Sequence, residues 1–499
     1  MKEIDEFPEG IASSYEKTGL LADPIYGYIE TTRPHGDIKF SEQDIINHPW
    51  MQRARRIHQL QGISWVFPGA EHSRFQHSLG AMHLAGKWAK HLYENLPACF
   101  EDVPSLPLVE ETLRMGGLLH DIGHGPFGHL CDQAYLEKYY GINHEILSQQ
   151  IILKLFSRPL SELKASPSGN FAPGEAIDPR WIAYIISKEP LPGFEPPAWL
   201  DAMKPILCGR YAADNMDYVP RDSYMCGVHV EVDVDRMIRY TFMTPNGIAL
   251  LDRGEASVRQ FLNARLYLYS ELYKHRTAET NQLHMREILP ETCDILMDHE
   301  NPEKALDKYF RLTDWYVVSE VENWTYTAKK GTREAELGKE WRKLVNREKI
   351  KWQLVHQSLL DFAHTGYSNP KEYAQDFTEQ LRNELPLAMR EVKLDVEVDS
   401  LGGRPQDVDL DVKDIMIYDP KPKSYKFKSA SEVMQLRGQT SQLRVFAIAS
   451  PKVDAEIQKA LPKLLSRTLK QRRKTDINIE MRDSRAETEN LNWEERVVG

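Results

Sequence analysis

The eighteen residues from Met115 to Asp132 (Met-Gly-Gly-Leu-Leu-His-Asp-Ile-Gly-His-Gly-Pro-Phe-Gly-His-Leu-Cys-Asp) narrow what this chain can fold into more than any other stretch. They contain three histidines (His120, His124, His129), two aspartates (Asp121, Asp132) and five glycines. The apolar run before His120 predicts the end of a buried helix, and the Gly/Pro punctuation after Asp121 predicts a tight irregular turn. A helix end that delivers His and Asp together into a compact loop suits a metal, because imidazole nitrogen and carboxylate oxygen are ligands for Fe, Mn, Zn and similar ions. One such dipeptide carries little weight, since most are surface or capping residues. The weight comes from ligands supplied elsewhere on convergent helices.

Taken in order, Asp23–Glu30 has the alternation of a short strand or hairpin. Ser41-Glu-Gln-Asp44 is a capping-box start for a helix with Trp50, Ile57 and Leu60 on one side and Arg53, Arg55 and Arg56 around the rest. After Phe67-Pro-Gly, Arg74 and His77 stand three apart on a helix and share a face; His83 is off it and structural. Residues 100–121 form the helix that ends at His120-Asp121, and His144-Glu145 opens another. Residues 157–180, rich in Ser, Pro, Gly and Ala, read as an exposed loop or insertion.

Asp214, Asp217, Tyr218, Arg221 and Asp222 fall at i, i+3, i+4, i+7 and i+8, one polar stripe on one helix. Such a stripe is ordinarily a solvated face. Its apolar flanks (Ile206-Leu207 and Tyr224-Met-Cys226) make it the lining of a cleft, and Pro220 should kink or end the helix. A long helix is expected over 256–289, carrying Arg265, Tyr267, Tyr269, Tyr273, Lys274, His275 and Arg276. Residues 303–391 read as helical, with Trp315, Trp324, Trp341 and Trp352 as core anchors. Beyond 390, alternation at Val392–Val398, Asp411–Ile417 and Leu443–Ala449 predicts strands, followed by a basic helix-like segment, Lys463–Lys474, and a loose tail. The expected fold is therefore mainly α: a helical core over 1–300, a helical extension over 301–390, and a smaller mixed α/β C-terminal lobe over 391–499.

A length of 499 residues leaves room for two or three such parts. The net charge of −11 argues against a surface that grips nucleic acid throughout, so an anionic substrate needs a focused basic site. Five dispersed cysteines without a CxxC, no apolar leader and no run of 18 apolar residues point to a cytoplasmic protein with free thiols and no membrane association.

His77, His120, Asp121 and Asp214 lie on three predicted helices. Two imidazoles and two carboxylates leave open positions on a six-coordinate divalent ion (Mn, Mg, Fe, Co or Zn). His129 and His144 are then available to move a proton, Arg74 and Arg265 to clamp phosphates, and Tyr218 and Tyr273 to pack a sugar or base.

His77 … His120-Asp121 … Asp214 resembles the H…HD…D signature of the HD phosphohydrolase superfamily. Gln59-Leu60, Phe67-Pro-Gly-Ala, Arg74–Gly80, His120–His129, His144-Glu145 and Asp217–Asp222 resemble, in order and spacing, its dNTP triphosphohydrolase branch, which includes the animal sterile-alpha-motif and HD-domain enzyme and bacterial dGTPase-like proteins. The similarity spans roughly residues 20–290. It implies an HD-domain helical core, a divalent metal, a homo-oligomer (dimer or tetramer), a regulatory nucleotide, and hydrolysis of a dNTP to deoxynucleoside and inorganic triphosphate. It implies that His129, Asp132 and His144, with His124 beside them, are the catalytic set. Arg74, Arg265 and His275 would hold triphosphate, and Gln59, Leu60, Tyr218, Asp222 and Tyr273 deoxyribose and base.

The chain departs from the animal enzyme at Asn215, where that enzyme has a phosphate-touching lysine. It departs again at Asn47 and near Gly19, where that enzyme reads an activating guanine nucleotide; Gln52 and Arg55 persist. Two other readings stay open: an HD phosphodiesterase or nucleotidase acting on another phosphoester or on single-stranded nucleic acid, and a non-enzymatic nucleotide sensor. A dNTPase would serve dNTP-pool control or antiphage defence.

Overall fold

The computed structural model describes residues 16–188, 191–348, 351–362, 365–367, 369–400, 412–435 and 440–465. The architecture is mainly helical, with small sheets and a smaller mixed C-terminal region. The predicted hairpin is present as β1 (Thr18–Asp23) and β2 (Gly27–Thr32), paired antiparallel. Its turn is closed by Asp23 Oδ1, which accepts the backbone N–H groups of Ile25 and Tyr26. Helix α1 (Glu42–Ile46) starts at the predicted capping box, with Ser41 and Asp44 satisfying one another's backbone.

Helix α2 (Pro49–Arg53) is shorter than the sequence pattern suggests. It tightens into a 3₁₀ turn at Ala54–Arg56, and Ile57 is already extended. Arg53 is not on a polar face: it is 1% exposed. Its guanidinium donates to the carbonyls of His124, Tyr309, Phe310 and Leu312.

The centre of the first compact unit is the pair α3 (Arg74–Tyr93) and α4 (Leu106–Leu119). Their apolar faces bury Leu79, Met82, Leu84, Trp88, Leu113, Met115 and Leu118, each contributing roughly 1.5–3 kcal/mol of transfer free energy. The helices approach so closely that a Cβ on Gly117 would lie 2.7 Å from the carbonyl oxygen of Ala81. Helix α5 (His144–Ile151) begins where predicted, with Asn143 accepting from the N–H of Ile146. Residues 157–180 are largely exposed, as the composition suggests, but open with a helix, Ser157–Glu162, and are anchored to the core. Leu160 and Leu163 are buried, and the hydroxyl of Ser166 and N–H of Ser168 donate to the buried carboxylate of Glu110 on α4.

Helix α6 (Ala213–Cys226) runs through Pro220 instead of ending there, and stops at Gly227 in a left-handed cap (φ +70°). Proline fixes a helical φ and costs one ladder bond; ion pairs on the buried face of α6 hold the helix across it. The long helix expected over 256–289 is two helices, α7 (Glu255–Leu268) and α8 (Arg276–Leu296), separated by a π turn at Tyr269–Tyr273 and a break at Lys274–His275. Helix α9 (Asp314–Thr327) follows in the same unit.

The division of the chain also differs from the one expected at 300 and 390. The first unit holds the described residues up to 278, then 282–348 and 412–434; the second holds 279–281, the described residues of 351–400, 435 and 440–465. Residues 303–345 join the core because Tyr309, Leu312, Val317, Val321 and Trp341 are buried within it, whereas Trp315 is 60% exposed and anchors nothing. Ile415–Asp419 also belongs to the first unit. It lies beside Gly247–Leu251 in parallel, in a four-stranded sheet completed by Ser424–Lys428 and Thr241–Thr244.

The second unit is a three-stranded antiparallel sheet in the order Trp352–Asp361, Thr440–Ile448, Leu394–Ser400. Its apolar cluster joins Leu443, Val445, Val396 and Leu360 to Phe377 and Leu381 of the helix Pro370–Glu384 and to Ile457 and Leu461. Trp352–Asp361 is thus a strand within a stretch expected to be helical. The basic segment Lys463–Lys474 lies outside the described residues from 466 onward.

Candidate metal and acid–base site

Three helices deliver the predicted metal set. His77 sits one turn into α3, His120 caps the C-terminus of α4 with Asp121 beside it, and Asp214 lies in the first turn of α6. His77 Nε2 is 3.0 Å from Asp214 Oδ1 and 3.3 Å from His120 Nε2. His120 Nε2 is 3.7 Å from Asp214 Oδ1 and 3.4 Å from Asp121 Oδ1, and Asp121 Oδ2 is 3.9 Å from His77 Nε2. These spacings fit donors on a shared ion with bonds of about 2.0–2.2 Å.

The ring nitrogens away from this point are both engaged. Nδ1 of His120 donates to the carbonyl of Gly117 at 2.8 Å, and Nδ1 of His77 meets Asp217 Oδ2 at 2.8 Å. Such outer bonds fix the tautomer that leaves Nε2 to coordinate. The donor set therefore fits a divalent metal.

The support behind His77 was only half visible in the sequence. Asp217 is fully buried and takes two hydrogen bonds from Arg221 (2.9 and 2.8 Å) and one from the Tyr26 hydroxyl (2.8 Å). Arg221 Nη1 in turn reaches Asp23 Oδ2 at 2.8 Å. The Asp217–Arg221 spacing on α6 was legible, but Asp23 and Tyr26 join it from almost 200 residues away. Gly80 on α3 makes room for this network: a Cβ there would lie 1.8 Å from Asp217 Oδ1 and 2.4 Å from Arg221 Nη2. Gly80→Ala should therefore destabilise the fold by about 1 kcal/mol net, read as a lower denaturation midpoint. An overpacking cost of roughly 1–3 kcal/mol exceeds the ~1 kcal/mol helix-propensity gain of alanine.

A second cluster stands next to the first. Asp132 Oδ2 is 2.7 Å from His144 Nδ1, 3.3 Å from His129 Nδ1 and 3.4 Å from His124 Nδ1. His124 stacks on His144 with ring centroids 3.7 Å apart. Asp121 connects the two clusters, since its Oδ1 lies 3.4 Å from both His120 Nε2 and His124 Nε2. Arg74 Nη1 donates to the other oxygen of Asp121 at 2.5 Å.

The electrostatics separate the histidines. Burial disfavours charge on His144, but Asp132 outweighs it and raises the pKa above the ordinary value. Burial, with Arg74 and His144 nearby, holds His124 well below that value and so neutral. Burial likewise opposes the charge on Asp132 and Asp121. His144 and His124 nonetheless hold Asp132, and His120 and Arg74 hold Asp121, well below the carboxylate range. For His77, burial is overcome by hydrogen bonds with Asp214 and Asp217, and the pKa rises to about 10.

The remaining predicted residues form an adjoining polar group. Arg265 Nε donates to the Tyr218 hydroxyl at 2.7 Å, and the Tyr273 hydroxyl donates to Asp222 Oδ2 at 2.6 Å. Asp222 Oδ1 is held by the buried His72 at 2.8 Å, a residue the sequence did not single out. The Gln59 N–H donates to the His72 carbonyl, while Leu60 is buried beside it. His275 packs edge-on against Phe67. Gln59 Oε1, Arg74 Nε and His275 Nδ1 are buried and make no hydrogen bond among the described residues.

The loop between the clusters is held from outside the motif. Phe127 adopts φ +58°, a conformation costly for a bulky residue. Its N–H is bound by Asp314 Oδ1 at 2.7 Å, and Asp314 Oδ2 holds His58. The Tyr309 hydroxyl donates to the Gly123 carbonyl, and Arg53 donates to the His124 carbonyl.

Residues 74–180 match the HD domain family. The chain is 29% identical over 283 residues to the deoxynucleoside triphosphate triphosphohydrolase SAMHD1 of Gallus gallus, covering 54% of this chain and 44% of that one. It is 28% identical over 300 residues to an uncharacterized protein of Methanocaldococcus jannaschii (58% and 56% covered). It is also 28% identical over 284 residues to an uncharacterized protein of Bacillus subtilis (57% of each). The chain spans about half the length of these curated relatives. The fold is similar to that of a hypothetical protein from Aquifex aeolicus, with a TM-score of 0.63 at 21% identity over 89% of this chain and 100% of that one. Among the described residues no helix is long and apolar enough to cross a membrane. The chain carries an HD domain and, over a little more than half its length, resembles the HD-domain dNTP triphosphohydrolases.

Proposed function

We propose that this chain is a metal-dependent phosphohydrolase that converts a dNTP to deoxynucleoside and inorganic triphosphate. The observation that carries the reading is Asp121, which touches the metal donor His120 on one side and the acid–base histidine cluster on the other. His77, His120, Asp121 and Asp214 would hold a divalent ion, which supplies Lewis acidity toward a phosphorus-bound oxygen. Arg74, pinned to Asp121, sets a guanidinium at the edge of that site for phosphate. His129 and His144 share Asp132, and this pair delivers the proton that the departing 5′ oxygen requires. Tyr218, Tyr273 and the unsatisfied Gln59 Oε1 and His275 Nδ1 support a deoxyribose and base beside it.

Arg55 is exposed, stacked 3.7 Å over Phe75 and held by Gln52, which supports a regulatory nucleotide acting on an oligomer of this chain. Control of dNTP pools or antiphage defence would follow from the same reaction. For single-stranded nucleic acid, the described part of the basic segment offers Lys463 alone, and it is paired with Glu384.

The test is product analysis with each of the four dNTPs under Mn²⁺, Mg²⁺ or Co²⁺, with and without other nucleotides. Deoxynucleoside plus triphosphate is expected; dNMP plus pyrophosphate, or no turnover under any condition, would sink the reading. His129→Gln and His144→Gln should each lower turnover about 10²-fold. Asp132→Asn should move the alkaline limb of the rate profile to lower pH. His144 must be protonated to donate, and loss of the Asp132 charge removes what raises its pKa.

A further inference from the structure

We propose that His72 is a positioning residue for the sugar and base side of the site, acting through Asp222; this deepens the phosphohydrolase reading above and rests on it. The His72 ring is fully buried, and its Nε2–H donates to Asp222 Oδ1 at 2.8 Å. Its other nitrogen, Nδ1, is buried and makes no hydrogen bond among the described residues. A leucine would fill such a position without leaving a polar atom unsatisfied, so the imidazole carries a cost that packing alone does not explain. What it supplies and a leucine does not is the donor that fixes Asp222, itself 1% exposed.

Two features aim that donor. The loop that carries His72 is seated on α6, the helix that carries Asp222: a Cβ on Gly69 would lie 2.2 Å from the Met225 carbonyl oxygen. The main chain is also tied to the preceding segment, since the His72 carbonyl accepts the Gln59 N–H at 2.9 Å and the Ile57 carbonyl accepts the Arg74 N–H at 3.0 Å. His72 therefore holds Gln59 through its backbone and Asp222 through its ring. Asp222 passes the constraint on, because its Oδ2 accepts the Tyr273 hydroxyl at 2.6 Å. Tyr273 ends a π turn, an irregularity frequent at functional sites, and its ring stands 6.3 Å from that of Tyr218. With one of these donors on each oxygen, the Asp222 carboxylate keeps acceptor capacity, and Gln59 Oε1 is a buried acceptor without a partner among the described residues. Acceptors held in place call for donors on the ligand, and sugar hydroxyls and base N–H groups are the donors a nucleotide brings. Without His72 the carboxylate is free to turn those acceptors away.

The experiment is steady-state kinetics of the full-length protein with the four dNTPs under Mn²⁺, Mg²⁺ or Co²⁺, with metal content measured on every variant. Turnover by the unaltered protein comes first and tests the phosphohydrolase reading by itself; none under any condition overturns that reading and this inference with it. Given turnover, His72→Leu should raise KM about 10-fold or more, the effect of losing a hydrogen bond to a charged group, with little change in kcat or metal content. Asp222→Ala should raise KM as well, and His72→Leu/Asp222→Ala should be no worse than Asp222→Ala, because the histidine acts through the carboxylate. His72→Gln, whose amide nitrogen reaches the place of Nε2, should recover most of the KM, and the shorter His72→Asn should not. KM effects that multiply in the double variant, or a fall in kcat and metal content with KM unchanged, overturn the proposal and leave the phosphohydrolase reading standing. Should His72→Leu fail to fold, the Gln and Asn variants decide the matter, and equal KM values in those two overturn the proposal.

Discussion

Asp214→Ala is expected to lower the proposed dNTP hydrolysis by about 10³–10⁴, the ~4–6 kcal/mol of charge stabilisation that a catalytic metal supplies. Asp214 contributes the carboxylate that closes the donor set, 3.0 Å from His77 Nε2 and 3.7 Å from His120 Nε2. Without it, two imidazoles whose Nε2 atoms are 3.3 Å apart share a site with Asp121, one of whose oxygens is already bound by Arg74. Treating the unaltered protein with a chelator should reproduce the loss, and adding back Mn²⁺ or Co²⁺ should restore activity there but not in the variant. Metal content measured alongside the rate separates loss of the ion from loss of a substrate contact.

The same geometry sets a pH dependence for metal binding. In metal-free protein His77 stays protonated up to about pH 10, because Asp214 and Asp217 stabilise its charge against burial. The ion must displace that proton. Apparent affinity should therefore climb by about tenfold per pH unit for the His77 proton released below pH 10, and more steeply where His120, whose pKa Asp121 and Asp214 also raise, is protonated too.

Asp217→Ala should be the most destabilising single change in the core, by about 3–5 kcal/mol, because it strips a buried guanidinium of its main partner. Asp217 and Arg221 are 0% and 1% exposed, and Asp217 also receives Tyr26 and orients His77. The loss should appear as a lower urea midpoint with an unchanged slope. Metal affinity should fall a further 10–100-fold, as expected when the partner of a ligating histidine is removed. Asp217→Asn keeps the shape and an amide oxygen that can still accept from Arg221, so its stability cost should be smaller. If the two substitutions destabilise equally, the buried charge, which both remove, is what Asp217 contributes.

The grouping of His77, His120, Asp121 and Asp214 was legible from the chain because each lies in a local pattern: a capped helix before His77, an apolar helix ending at His120-Asp121, a polar stripe from Asp214. The helical core and the strands at 394–400 and 440–448 were legible for the same reason, local periodicity. What escaped was set by partners distant in sequence. Arg53 looks like a surface arginine until carbonyls from residues 309–312 are folded around it. Trp315 looks like a core anchor because hydrophobicity alone does not say which side of α9 faces inward. The break at Lys274–His275 carries no proline or glycine to announce it, and Pro220, which does announce one, is overridden by buried ion pairs.

The loop that carries His124 and His129 is held by Tyr309 and Asp314, nearly 190 residues downstream. During synthesis, therefore, every donor of the metal set is already made while that loop still lacks its clamp. Phe127 has nothing to hold it in its unfavourable conformation until Asp314 emerges. About a hundred residues of translation thus separate the last of the clustered donors, Asp214, from Asp314, the residue that clamps the loop.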